Sequence, residues 1–232
     1  MAPDLLDEDE NSVADISAVD IADWRLRTFA LYDDVRKIAM DDPFQAHVYW
    51  RQERDRMFGT HPASALTPAS KQAFSGLRTA DYDPRFRRYA TLSPEGAGQE
   101  MNVQTGTDGV VPFVRLGTFD LDELGSLAVW RLRSYGGGIF VPFRDATAGK
   151  PGGSYGAGRY LLDTIKGAFH GLRGSGQQEF VLDFNFAYNP SCAYNEAWAC
   201  PWPGPRIAWP RISPWASSTC PSKPAASRGS RT

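Results

Sequence analysis

Residues able to bind an anion stand at both ends of a glycine-rich run. Arg144 and Asp145 open "RDATAGKPGGSYGAGRY", and Tyr155, Arg159 and Tyr160 close it. A guanidinium offers planar, paired N–H donors that fit a carboxylate or phosphate. If the two ends meet, Arg144, Arg159, Tyr155 and Tyr160 are ligand-binding candidates, and Asp145 is a candidate general base. The same side chains would serve equally well to staple a loose loop. A second group follows in "LDFNFAYNPSCAYN", where Asp183 and Asn185 alternate with phenylalanines. Aspartate and asparagine are depleted in strands, so the pair points to a lined cavity or a buried hydrogen-bond network. Asp183 is the second candidate base. His47 and Arg51 lie four residues apart in a helical pattern and share a face. They read as solvated surface groups or as the mouth of the same pocket.

Other chemistries find less support. A Walker loop ends in Gly-Lys-Ser/Thr and opens a helix, whereas Lys150 is followed by proline and the next residues read as strand. Ser191 stands in no GxSxG elbow. Cys192 has no histidine near it in sequence and reads as a small buried hydrophobe or as half of a bond to Cys200. His47, His61 and His170 are scattered, and no CxxC occurs. Neither a metal nor a cofactor is expected.

Glycine-rich turns and short apolar runs must position these groups. "DPFQAHVYWRQERDRMFG" predicts a helix over residues 42–59, capped by Asp42, with Pro43 in its first turn and Gly59 just past its end. An earlier, shorter helix is expected within "ADWRLRTFALYDDVRKIAMDD". From Phe86 the pattern changes to strands: "FRRYATL", "VVPFVRLGTFDL", "SLAVWRLR", "GIFVPF", "GRYLLD" and "QEFVLDFNFA". In the last, Phe180, Leu182, Phe184 and Phe186 share one face by period-two alternation. "GIFVPF" and "GRYLLD" read as neighbours joined by the glycine-rich loop. No long helix separates the strands, so the expected fold is mainly β: an antiparallel barrel or sandwich with an N-terminal helical segment and a Pro-rich C-terminal strap. The expected divisions are an acidic helical segment at 1–60, a β domain at 61–205, and a Pro/Trp-rich tail at 206–232.

Charge narrows the partners. The chain of 232 residues carries a net charge of -2. Residues 1–60 hold fourteen acids against seven bases, and the last thirty hold five bases and no acid. Such a spread lacks the dense basic face of a nucleic-acid binder. No apolar run is long enough to cross a membrane, and the acidic N-terminus is unlike a secretory signal. A cytoplasmic protein is the expectation.

Three strings, "HVYWRQERDRMFGTHPASAL", "YGGGIFVPFRDATAGKPGGSYGAGRYLLD" and "LDFNFAYNPSCAYNEAWACP", resemble the domain-of-unknown-function family 1684 over roughly residues 40–205. The resemblance brings no activity with it. It likens Arg144 to the arginine of that family's Phe-Arg-Asp string, and Gly158, Arg159 and Tyr160 to its Gly-Arg-Tyr string. The tail departs from the pattern with "WPGPRIAWPRISPW". The functional expectation is a small anionic or polar ligand in an arginine-lined pocket. Hydrolysis is the least specific enzymatic option, with Asp145 or Asp183 as base and Arg159 stabilising developing charge. The alternative is a structural or protein-interaction module, for which the tryptophans and tyrosines supply contact surface.

Overall fold

The computed structural model describes residues 16–104, 109–176, 178–195, 197 and 198. Two antiparallel helices come first. Helix α1 (Ala18–Ile38) starts at a reciprocal cap: the Ser17 hydroxyl accepts from the Asp20 N–H at 3.0 Å, and the Asp20 carboxylate accepts from the Ser17 N–H at 3.2 Å. Helix α2 (Pro43–Thr60) starts at Asp42, whose side chain accepts from the N–H groups of Phe44 and Gln45, with Pro43 at the first position. The predicted stop at Gly59 is one residue short: Gly59 lies inside the helix, which ends at Thr60, and the His61 N–H closes it onto the Met57 carbonyl. Helix α1 is also much longer than the sequence pattern suggested. A short helix, α3 (Pro68–Gln72), follows.

The strands form two sheets. One is a five-stranded antiparallel meander of β2 (Glu100–Gln104), β3 (Val110–Asp120), β4 (Ser126–Leu132), β5 (Ile139–Phe143) and β6 (Arg159–Asp163), in that order. The other has three strands in the order β1 (Arg87–Ala90), β8 (Glu179–Asp183), β7 (Leu172–Arg173). The expected pairing of "GIFVPF" with "GRYLLD" is present as β5 against β6.

The expected barrel or sandwich is not. Helix and strand contribute in roughly equal measure, and both sheets are open, giving a mixed α/β fold. Two causes are visible. Strand β2 pairs only with β3, and β6 pairs within its sheet only with β5, so the meander never closes. The long alternation of "QEFVLDFNFA" also breaks at Asp183. There the Asp183 side chain accepts from the Asn185 N–H at 3.1 Å and turns Phe184–Phe186 into a 3-10 turn. A short Asx-type bond has outcompeted strand continuation.

Apolar side chains sort onto three cores. Leu127, Val141, Phe143, Leu161 and Leu182 pack together, joining both sheets. Phe113, Trp130, Phe140 and Tyr160 fill the opposite face of the meander. Helices α1 and α2 contribute Leu31, Tyr32, Val35 and Trp50 to a third cluster, which they share with Ala168 and Phe186. Arg36 on α1 also donates to the Phe169 carbonyl at 2.9 Å, tying that helix to the segment between β6 and β7. Among the described residues no helix is long and apolar enough to cross a membrane.

Candidate functional site

The glycine-rich loop between β5 and β6 does bring Asp145 to Arg159. One guanidinium nitrogen donates to the Asp145 carboxylate at 2.8 Å, and both side chains are buried. Thr147 adds two donors to the other oxygen of Asp145, its N–H at 2.7 Å and its hydroxyl at 2.5 Å. Burial pushes the Asp145 carboxyl up, but the neighbouring Ser154 hydroxyl, the hydrogen bonds from Thr147 and the charge of Arg159 outweigh it and hold the group below the usual range. The Phe143 ring lies 4.9 Å from the guanidinium. Gly158 is required beside this pair: with φ at +94°, an added Cβ would stand 2.5 Å from the Phe143 carbonyl oxygen. Arg144 is half-buried beside Gly158, and Tyr160 is buried against Phe140. The Tyr155 hydroxyl reaches the Cys192 sulfur at 4.0 Å. Cys200, the other half of the expected bond, lies outside the described residues, as does the Pro/Trp-rich tail.

Asp183 and Asn185 form a separate cluster. Asp183 is fully buried and accepts from Arg87 at 2.8 Å and from the Asn185 amide at 2.8 Å. The same amide brackets Asp83, donating to its carbonyl and accepting from its N–H, each at 2.9 Å. This is a clip between the segment entering β1 and the turn leaving β8. His47 sits behind it, 1% exposed, stacked on Trp50 and edge-on to Phe186. Burial first, then the charge of Arg51, lowers its pKa to about 4. Arg51 itself faces outward, 3.6 Å from Asp81. The structure therefore brings Asp145 to Arg159 and Asp183 to Asn185, but it does not join the two groups.

A sizeable cleft lies elsewhere. About 390 Å³ opens between α1, α2 and the segment around Tyr188–Trp198, walled by Ile21, Trp24, Leu31, Met57 and Phe58. Arg54 projects from α2 into this wall. Its guanidinium lies 4.8 Å from the Trp50 ring, 5.2 Å from Phe58 and 5.0 Å from Tyr188. Its charge partly offsets the burial that raises the pKa of the Tyr32 hydroxyl, while its Nε is buried without a hydrogen-bond partner. Arg25 and Lys166 line the cleft as well, and no described lining residue is acidic. None of the nine residues singled out from the sequence lines it. A signal was nevertheless present: Trp50, Arg54 and Phe58 recur every four residues, placing an arginine between two aromatics on one helical face. Among the described residues, no cluster of three or more His, Cys, Asp or Glu side chains is placed to hold a metal.

Residues 72–207 match the family model described as "Protein of unknown function (DUF1684)". The chain belongs to this DUF1684 family. The matched region holds both sheets and both polar clusters, whereas Arg54 and the two long helices precede it. The solution NMR structure of an uncharacterized protein from Haloarcula marismortui is 30% identical, with a TM-score of 0.52. That alignment covers 78% of this chain and 97% of that one. No curated protein matches.

Proposed function

We propose that this DUF1684 protein binds a small anion with an apolar body, held in the cleft between α1, α2 and the Tyr188–Trp198 segment. Arg54 carries this reading. It is half-buried among three aromatic rings, beside a sizeable cleft, with one N–H unpartnered. No described carboxylate is ion-paired with Arg54, and a carboxylate or phosphate oxygen in the cleft would meet its charge. The apolar walls suit the body of such a ligand. The reading keeps the arginine-lined pocket expected from the sequence but moves it from Arg144 and Arg159 to Arg54. Simple binding is favoured over hydrolysis, because neither candidate base, Asp145 nor Asp183, lines the cleft.

Trp24 and Trp198 line the cleft and Trp50 lies beside Arg54, so binding should change tryptophan fluorescence. Titration with octanoate and with phenylacetate is expected to give saturable changes. Arg54→Gln should weaken the tighter ligand roughly ten- to a hundredfold, the range for a hydrogen bond to a charged group. No saturable signal with either acid, or an unchanged affinity in the variant, would overturn the proposal.

An interaction role has its own observation. Val19, Leu26 and Phe29 form one exposed apolar stripe on α1. Sedimentation of wild type against Leu26→Glu tests it; a concentration-dependent dimer lost in the variant favours this second reading.

A further inference from the structure

The cations that line the cleft stand at nearly one level along it. Trp50 donates to the Tyr32 hydroxyl at 3.2 Å, and Phe58 packs on Trp24 at 5.4 Å, so α2 runs antiparallel to α1 with Arg54 midway between the two contacts. The Arg54 guanidinium is almost equally far from the Trp50 and Phe58 rings, at 4.8 and 5.2 Å, which sets it about level with Thr28 on α1. Arg25 lies three residues before Thr28, about 5 Å along the axis at the helical rise, and lines the same cleft. Lys166 joins from the segment after β6, where the neighbouring Gly167 abuts Phe29, one residue beyond Thr28. Three separate elements thus bring a positive charge to the middle of the cleft.

No described acid offsets these charges at close range. Neither Arg25 nor Arg54 has an acid three or four residues away on its own helix, and none of the three cations is ion-paired to a described carboxylate. Asp163, whose buried carboxyl interacts with the charge of Lys166, does not line the cleft, and burial favours its neutral form. Like charges held beside apolar walls repel one another more than they would in water. From the level of the cations the wall continues, mostly apolar, past Trp24 and Phe58 to Ile21 and Ala63.

Resting on the reading that this cleft holds an anion, we infer that the anionic head is a phosphate monoester and that its ester group is the apolar body. A carboxylate brings one negative charge and two oxygens to three cations. A phosphate monoester brings close to two charges and three acceptor oxygens, so Arg25, Arg54 and Lys166 each receive one. The ester group then lies along Trp24 and Phe58.

Calorimetric titration of the full chain at low ionic strength, above pH 7 where the monoester is close to a dianion, tests the head group. The probes are octyl phosphate, octanesulfonate, octanoate and inorganic phosphate. Octanesulfonate keeps three oxygens but carries a single charge. Octyl phosphate is expected to bind at least tenfold more tightly than any of the other three. Arg25→Gln and Lys166→Gln should each weaken octyl phosphate about tenfold and octanoate by a smaller factor, whereas Arg54→Gln should weaken both. The inference is overturned if octanesulfonate, octanoate or inorganic phosphate equals octyl phosphate, or if Arg25→Gln and Lys166→Gln leave the preference for octyl phosphate intact. In those cases octanoate binding that still depends on Arg54 would leave the simpler anion-binding reading standing. If no probe binds, both fall together.

Discussion

At the scale of single residues, chemistry-bearing types proved a poor guide to location. Arg159 and Asp145 were legible as partners, because a glycine-rich loop between two adjacent strands must return near its start. What the sequence could not show is how completely they satisfy each other. The pair is buried and fixed further by Thr147, which makes it a structural element of the loop. Removing one member leaves the other as an uncompensated buried charge. Asp145→Ala is therefore expected to lower unfolding stability by about 3–5 kcal/mol, measured by urea titration. Arg144→Ala, at a half-buried side chain outside this pair, should stay within about 0.5 kcal/mol of wild type. Arg54 was overlooked for a physical reason as well. In a helix rich in charge, an arginine that stacks on its own helix's aromatics looks like any solvated cation until Tyr188 arrives from more than a hundred residues away.

Secondary-structure elements were read with more success where the signals are local. The cap at Asp42 and the β5–β6 hairpin rest on neighbouring residues and are present, and each predicted run holds a strand, although the one at 178–187 stops at Asp183. Asp42→Ala should cost about 1 kcal/mol by freeing the N–H groups of Phe44 and Gln45, seen as a lower urea midpoint with an unchanged slope. The architecture was misread because sheet closure depends on edges meeting, and no local pattern encodes whether β2 reaches β6. A register feature in β3 makes the point. The strand is irregular between Arg115 and Gly117, where Ser93 bridges to Thr118. A Cβ on Gly117 would stand 1.9 Å from the Ser93 carbonyl oxygen. Gly117→Ala must push that segment off the sheet, with an expected loss of about 1–3 kcal/mol, the cost of forcing added atoms into a packed site.

For the whole molecule, the decisive joint is between the helical pair and the sheets, and two buried histidines hold it. His47 on α2 and His170 beyond β6 lie on Phe186, with ring centroids 5.3 and 4.7 Å away, and the Nε2 atom of each has no hydrogen-bond partner. Burial, reinforced by Arg51 for His47 and by Arg87 and Arg36 for His170, lowers their pKa values to about 4 and about 3. A histidine in the unfolded chain titrates near 6.5. The unfolded state therefore takes up protons first as the pH falls, and stability is lost from about pH 6.5 downwards, continuing to the folded pKa values. Between pH 7 and pH 5 each histidine should contribute a loss of about 2 kcal/mol. The window stays above the range in which most carboxylates titrate, so the effect can be assigned. Urea unfolding at pH 7, 6 and 5 measures it. His47→Gln and His170→Gln should each flatten the pH dependence by about half of the histidine contribution, whatever they do to stability at pH 7. A pH profile unchanged in both variants would mean that the joint tolerates imidazolium, with water or a carboxylate reaching Nε2. Because Arg54 and Trp50 stand on the same helix as His47, acid should also release the cleft: octanoate binding would weaken in step with the loss of stability, and His47→Gln would shift both together.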